Sequence, residues 1–411
     1  MQSTPKSLRL HIAIFGRRNV GKSSLLNAFV HQEVSIVSDQ KGTTTDPIEK
    51  TMELLPLGPV VLIDTAGLDD EGDLGALRVE RTIRQFDRCD MALIVTDDSW
   101  GEDERRIHEA LDARKIPHLV VLSKNDICDH SALLQMLEAM QVPAVSVCAR
   151  DAEQMELLYR ALIRTAPAEF AESQPLLDGI VSADDHILLV IPIDKEAPKG
   201  RLIAPQVQTI RAILDSHARC SICSEQDVSR MLEMFREPPK LVITDSQAFG
   251  IVSPQVPASI MLTGFSILFA RFKGELCELA RGAAVLSRLE PGDKVLIAEA
   301  CTHHPIQDDI GRVKIPGWLH KRFGDDLCVE TVSGQTLPEN LSSYRLVIHC
   351  GACMWTRRQM LERIRIVRMS GAAITNYGMA IAGLHGILDR ALEPFPEALS
   401  AWREGVSAAG R

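Results

Sequence analysis

Aromatic residues are scarce in this chain, with 4 Trp, 3 Tyr and 11 Phe making up 4% of its 411 residues, yet 45% of its residues are apolar. That combination is the composition of a soluble globular protein. An excess of positive charge is also missing: 45 Lys+Arg stand against 55 Asp+Glu, a formal charge of −10. The balance argues against a broad electrostatic grip on nucleic acid, although a local basic patch stays compatible with it. Residues 1–10 carry no apolar core of a secretory signal, so a cytoplasmic protein is expected. No apolar run approaches the ~20 residues that cross a bilayer, and the longest candidates, 187–193 and 267–272, have strand or short-helix length. No membrane association is expected. Internal repeats and low-complexity tracts are absent as well.

What is plentiful is length. A single apolar core stops growing near roughly 250–300 residues, so a chain of 411 is expected to divide, and we expect three domains. Short β-rich runs at 10–15, 60–63, 91–96, 118–122 and 144–147 alternate with amphipathic helical stretches, the punctuation of βαβ units around a parallel sheet. Pro167 and Pro175, set among small and polar residues, mark a linker. The first domain is therefore expected over 1–170. A small α/β block over 175–264 has strands at 187–193 and 241–244 and a helix at 207–216. From 265 to 411 strands at 294–299, 327–332, 344–349 and 372–375 again alternate with helices such as 357–367. The fold class is α/β throughout.

The first strand is followed at once by Gly16-Arg17-Arg18-Asn19-Val20-Gly21-Lys22-Ser23 and then by a helical stretch beginning at Ser24. This is G-x-x-x-x-G-K-S between a strand and a helix, the context of a P-loop. Its glycines let backbone N–H groups and the helix N-terminus face a phosphate, Lys22 supplies a point charge, and the Ser23 hydroxyl is a Mg2+ ligand. Asp64-Thr65-Ala66-Gly67 ends a later apolar strand, placing a carboxylate near the Mg2+ and the Gly67 N–H near a γ-phosphate. Between them, Gly42-Thr43-Thr44-Thr45-Asp46 occupies the place of a γ-phosphate switch, with Thr44 as the second hydroxyl ligand and Thr43 as runner-up. Leu68 follows Gly67 where Ras-like enzymes have the Gln that orients water, so slow intrinsic hydrolysis is expected.

Two further strand ends choose the base. Ser123-Lys124-Asn125-Asp126 and Cys148-Ala149-Arg150 resemble the N-K-x-D and S-A-K patterns of translation-factor-like GTPases, with Ser123 in place of Asn and Cys148 in place of Ser. Asp126 can accept from guanine N1–H and the 2-amino group together, and the Lys124 stem can cover a base face, so GTP and GDP are the expected nucleotides. Asn19 resembles the P-loop Asn of GTPases that recruit K+ beside the developing charge, and K+ stimulation is expected.

Ten cysteines without an export signal are read as thiols, and closely spaced ones as metal ligands before disulfides. Cys301-Thr302-His303-His304 follows one strand of the last domain and His349-Cys350-Gly351-Ala352-Cys353 ends another. Ligands collect outside the carboxyl ends of parallel strands, so Cys301, Cys350 and Cys353 can meet in one pocket. A four-iron cubane on three cysteines leaves a fourth iron to a weaker or exchangeable donor, for which His303, His349, Glu299 or an external group are candidates. Three Cys and one His also complete a tetrahedral zinc site, and spacing alone does not separate the two. Cys220-Ser221-Ile222-Cys223 near His217 could form another pair, although ordinary thiols are the plainer reading. Cys89, Cys128, Cys277 and Cys328, without close partners in sequence, are read as packing residues.

The run Cys-x-His followed by His-Cys-x-x-Cys resembles the signature of the HydF family, GTPases that mature FeFe-hydrogenase. The likeness extends through Pro192-Ile193-Asp194, 197–202, 205–207, 244–249, 308–311 and Thr375-Asn376-Tyr377-Gly378, and so covers essentially the whole chain. The resemblance implies a GTPase domain, a dimerisation domain with a homodimer, and a 4Fe-4S domain. It also implies a scaffold or carrier role for the di-iron subcluster, with FeFe-hydrogenase apoprotein and radical-SAM maturases as partners. The alternative from another class is an RNA- or ribosome-associated GTPase stapled by structural zinc, against which the acidic balance counts. A redox enzyme using the cluster for electron transfer is a weaker third reading, since no flavin or nicotinamide fingerprint accompanies it.

Overall fold

The computed structural model describes residues 6–31, 38–40, 48–54, 57–64, 86, 88–167, 176–193, 202–300, 309–334, 336–351 and 355–407. The chain divides into two compact units, 1–174 and 175–411.

In the first unit seven strands, β1 (Leu10–Phe15), β2 (Ser38–Gln40), β3 (Ile48–Leu54), β4 (Gly58–Asp64), β5 (Met91–Thr96), β6 (His118–Leu122) and β7 (Ala144–Ser146), form one sheet in the order β2-β3-β4-β1-β5-β6-β7. β3 runs antiparallel to β2 and β4, and the other pairings are parallel. β1 and β5 are buried along their whole length, as their unbroken apolar runs require of a parallel sheet covered on both faces. Alternate side chains serve two cores. Leu10, Ile12 and Ile14 pack with Leu25, Leu26 and Phe29 of the helix Lys22–His31 and with Leu158 and Leu162 of Ala152–Thr165. Ala13 and Phe15 face Ile107 and Leu111 of Glu102–Ala113 and Leu137 of Ser131–Ala139. A fully buried Leu, Ile or Phe contributes about 1.5–3 kcal/mol, and these two layers fix the strand ends on which the loops sit. Asp151 caps the Ala152–Thr165 helix by accepting from the Glu153 N–H at 2.9 Å and the Gln154 N–H at 3.3 Å.

The second unit holds two all-parallel sheets. β8 (His186–Val190), β9 (Arg219–Cys223), β10 (Leu241–Thr244) and β11 (Met261–Gly264) are ordered β11-β10-β8-β9. β12 (Lys294–Glu299), β13 (Cys328–Ser333), β14 (Leu346–His349) and β15 (Ala373–Asn376) are ordered β13-β12-β14-β15. The run expected as a strand over 187–193 ends at Val190, before Pro192, which has no N–H to give a ladder. One apolar core spans both sheets, joining Leu189 and Ile243 to Phe265, Leu279, Leu296, Val347 and Ile374. The helix Leu276–Ala284 lies directly on β15: an ideal Cβ on Gly282 would sit 1.8 Å from the Ile374 carbonyl oxygen, so only glycine permits the approach. Arg390 adds a polar tie, donating to the carbonyls of Val256 at 2.9 Å and Pro257 at 2.7 Å.

Candidate nucleotide and metal sites

The loop after β1 owes its shape to three left-handed residues, Gly16 (φ 148°), Asn19 (φ 63°) and Gly21 (φ 103°). A Cβ on Gly16 would lie 2.2 Å from the Val95 carbonyl oxygen of neighbouring β5, so this glycine is required by close passage as well as by φ. Asn19 adopts the left-handed conformation that Asn tolerates better than most residues. The Lys22 ammonium sits inside the resulting turn, 2.6 Å from both the Gly16 and the Arg17 carbonyl oxygens. Ser23 and Ser24 are exposed at the start of the helix, and Val20 is buried beneath it. Asp64, last residue of β4, pairs in register with Ile14. Burial raises its carboxyl above the usual range, against the opposing pull of Lys22 and Lys50. Thr43, Thr44 and Gly67 lie outside the described residues.

Arg17 does not point into the turn. Its guanidinium donates to Ser99 Oγ at 2.6 Å and to the carboxylate of Glu104 at 2.8 Å, a side chain only 1% exposed. Ser123, where the GTPase pattern has Asn, is 3% exposed, and its hydroxyl meets the Val20 carbonyl of the P-loop and the Thr96 carbonyl of β5 at 3.2 Å. The shorter side chain therefore still ties the base loop to the phosphate loop. Lys124 (φ 63°) pairs with Asp97 at 2.9 Å. Burial alone would raise the Asp97 carboxyl, but the Lys124 hydrogen bond and charge, with backbone N–H groups, carry it below its ordinary value. Asp126 is exposed, Cys148 buried and Ala149 half-buried, and the side-chain oxygen of Gln154 accepts from the Cys148 N–H at 2.7 Å and from the Asn125 amide at 3.2 Å. Three loops at the carboxyl ends of β1, β6 and β7 thus converge, an arrangement able to hold a nucleotide by phosphates and base. Sequence reasoning missed Asp97 and the Arg17 tether; the signal available was that Asp97 directly follows a buried parallel strand.

In the second unit β12 and β14 are neighbours whose crossovers leave in opposite directions, toward β13 and β15, which makes their carboxyl ends a topological switch point. Glu299 ends one strand and His349 the other, Ala300 and Cys350 follow them, and the Ala300 N–H donates to Cys350 Sγ at 3.1 Å. Cys301, His303 and Cys353 lie outside the described residues, and among the described residues no group of three metal-ligating side chains converges.

The two described candidates for a fourth donor occupy opposite faces of the sheet. His349 is in register with Ala298, one residue before Glu299, and side chains alternate along a strand. Glu299 is 3% exposed and its Oε2 is engaged by Ser333 Oγ at 2.7 Å and by Arg312 at 3.2 and 3.3 Å. His349 is wholly buried, and its Nδ1 lies 2.7 Å from the Cys350 carbonyl while its Nε2 has no hydrogen-bond partner. Since a carbonyl only accepts, Nδ1 carries the proton and Nε2 keeps a lone pair. Burial, with the charge of Arg363, lowers this imidazole to about 4, so it is neutral at physiological pH. Arg363 is itself buried, lies over the Trp355 ring at 4.6 Å and is lowered to about 10 by burial. The Tyr377 hydroxyl is buried without a partner, and burial followed by the charge of Cys350 pushes it well above the ordinary phenol range.

Cys220 and Cys223 lie on β9, and residues three apart on a strand face opposite sides of the sheet. They form no common site. Both thiols are pushed up to about 11, by burial in each case and additionally by Asp227 and Glu225 at Cys223, and they are the ordinary thiols of the plainer reading.

A P-loop GTPase domain joined to a second α/β unit with a cysteine at its switch point defines the class of this protein. Residues 11–124 match the 50S ribosome-binding GTPase domain. Residues 176–274 match the hydrogen maturase F dimerization domain and residues 277–394 the hydrogen maturase F tetramerization domain. The chain belongs to the hydrogen maturase F family. It is 40% identical over 135 residues to the tRNA modification GTPase MnmE of Helicobacter acinonychis (strain Sheeba), covering 32% of this chain and 30% of that one. It is 34% identical over 171 residues to the GTPase Der of a Nitratiruptor species, covering 39% of this chain and 37% of that one. The chain thus spans about a third of the length of these relatives. Among solved structures, the G domain of the T. maritima FeoB iron transporter covers 40% of this chain and 99% of its own, at 20% identity and a TM-score of 0.31. No helix among the described residues is long and apolar enough to cross a membrane.

Proposed function

We propose that this chain hydrolyses GTP as a maturation factor of FeFe-hydrogenase, carries a 4Fe-4S cluster, and serves as scaffold or carrier for the di-iron subcluster that is its cargo. The observation that carries the reading is Cys350 at the β12/β14 switch point, within the segment that matches the family's tetramerization domain. Cys301, Cys350 and Cys353 would hold the cluster. A backbone N–H already directed at Cys350 Sγ suits a thiolate ligand, because it stabilises charge on the sulfur. His349 fits the remaining position better than Glu299: its Nε2 lone pair is unpartnered and its Nδ1–H is oriented by a carbonyl, the usual support of a ligating imidazole. Glu299 would have to abandon Arg312 and Ser333. A cluster bound in this way supplies an iron with an exchangeable coordination position.

GTP acts as a switch in this proposal. Ser23, Thr44 and Asp64 hold Mg2+, Lys22 and the P-loop N–H groups hold the phosphates, and Lys124, Asp126, Cys148 and Ala149 hold guanine. Asn19 recruits K+, which accelerates turnover. Thr44 and Gly67 release the γ-phosphate on hydrolysis, and the relaxed switch alters docking of the hydrogenase apoprotein and the radical-SAM maturases. A homodimer forms through the 176–274 segment, where β9 presents a sheet edge with one partner strand among the described residues.

Anaerobic iron and sulfide quantification with electron paramagnetic resonance, on wild type beside Cys350→Ala, tests the proposal. Iron and sulfide near four each per chain and a reducible cubane signal are expected in wild type, and both fall in the variant. Stoichiometric zinc without sulfide would overturn it in favour of the second reading, a zinc-stapled RNA- or ribosome-associated GTPase, for which the names of the GTPase-domain relatives speak.

A further inference from the structure

The three loops that meet the nucleotide come from different strands, and something must hold them in register before a ligand arrives. Asp97, the residue after β5, touches two of them directly and reaches the third through His130. Its carboxylate accepts from Lys124 of the base loop at 2.9 Å and from Arg17 of the P-loop at 3.4 Å. Its backbone carbonyl meets Nε2 of the buried His130, whose Nδ1 lies 2.7 Å from Ser146 Oγ, two residues before Cys148. Arg17 is anchored on the same β5 terminus through Ser99 at 2.6 Å and on the helix Glu102–Ala113 through Glu104 at 2.8 Å. Glu104 in turn accepts from the Gly101 N–H at 2.9 Å, so its carboxylate is fixed at both oxygens.

We infer that Asp97 is a positioning residue for guanine-nucleotide binding, linking the phosphate loop through Arg17, the base-covering lysine directly, and the Cys148-Ala149 loop through His130. Its carboxylate is about a quarter exposed, so the contacts with Lys124 and Arg17 are individually modest. Their effect lies in geometry: they restrict two long side chains on separate loops, so less rotamer freedom is lost when nucleotide binds. Lys124 is the arm that matters for the base. With Nζ held by Asp97, its methylene stem is laid along one line rather than sampling many. Asp97 has its carboxylate and its carbonyl committed to Lys124, Arg17 and His130, and in this role it takes no part in the chemical step. Its contribution therefore belongs to binding, which makes KM and the affinity for GDP the quantities it moves.

The experiment compares full-length wild type, Asp97→Asn, Lys124→Gln and the double variant. GDP affinity is measured with a fluorescent GDP analogue, alongside steady-state GTP hydrolysis. Asp97→Asn is expected to weaken GDP and raise KM for GTP about tenfold, with kcat within about threefold, as loss of a charge-assisted contact predicts. The double variant is expected to lose less than the product of the two single losses, because the Asp97–Lys124 contact is removed in both, and what Asp97→Asn still costs beside Lys124→Gln is the Arg17 contact. Arg17→Gln, which leaves the Asp97–Lys124 contact in place, is expected to weaken GDP in the same direction and serves as the test if Asp97→Asn fails to fold. Unchanged GDP affinity in a folded Asp97→Asn, or losses that multiply independently in the double variant, would overturn the inference while leaving the nucleotide site standing. A wild type that binds no GDP would sink the site and the inference together.

Discussion

Ser123 is the residue at which this chain departs from the N-K-x-D pattern, and the departure costs less than a missing amide suggests. A hydroxyl donates only one hydrogen, yet the Ser123 Oγ lies between the Val20 and Thr96 carbonyls, and a Cβ on Gly21 would come within 3.3 Å of it. The P-loop lies directly against the short side chain. Ser123→Ala keeps the packing and removes the donor, leaving a buried carbonyl without that bond at a cost of about 1–2 kcal/mol. The expected outcome is a five- to thirtyfold loss of GDP affinity on the order set by that energy, read by equilibrium titration. An alanine variant binding GDP as tightly as wild type would show that the hydroxyl is not the tie between the loops. Arg17 teaches a related lesson: a P-loop arginine invites assignment to phosphate, but its guanidinium is committed to Glu104 and Ser99.

Which elements were legible depended on how deeply they are buried. The parallel strands β1, β5, β6, β12 and β14 announce themselves as unbroken apolar runs because both faces of each are covered. The edge strand β9 reads Arg-Cys-Ser-Ile-Cys with no buried residue, so its pattern carries no period and its two cysteines invite pairing as neighbours on a loop. β3 escaped for a different reason: as an antiparallel strand between β2 and β4 it alternates apolar and polar residues without a long run. The candidate metal site was legible only as ligand types and strand ends. That His349 and Glu299 face opposite sides of the sheet needs the register.

The proposed dimer belongs to this scale. Arg219 and Cys223 of β9 bond toward β8, through the Arg219 N–H to the Asp185 carbonyl at 2.8 Å and the Ile191 N–H to the Cys223 carbonyl at 2.9 Å. By alternation Cys220 and Ile222 turn their N–H groups to the open edge, and Ile222 is 45% exposed. Ile222→Pro removes an outward donor and an exposed apolar side chain while sparing the bonds to β8. Sedimentation of this variant is expected to show monomers where wild type shows dimers. A variant that remains dimeric would place the interface elsewhere.

Across the whole molecule, the two units have separate cores, and each carries its own linkage to solution conditions. In the first, GDP with Mg2+ at a hundred times its dissociation constant adds about 2.7 kcal/mol to the folded state. In the second, His349 is lowered by burial to about 4, whereas an unfolded histidine titrates near its ordinary value of 6.5. Between those values the unfolded state binds a proton that the folded state refuses, so stability rises with pH across the window and is lost as pH falls from about 6.5 toward 4. The full loss is of order 3 kcal/mol. Calorimetry of the metal-free chain is therefore expected to show two transitions. Nucleotide moves one of them upward, acid in this window lowers the other, and His349→Gln removes the His349 contribution to that acid shift while leaving the nucleotide shift in place. At roughly 2–4 °C per kcal/mol for a unit of this size, both displacements are resolvable. A single transition that responds to both ligand and acid would mean that the units share their stability, and their independence would then have no thermodynamic basis.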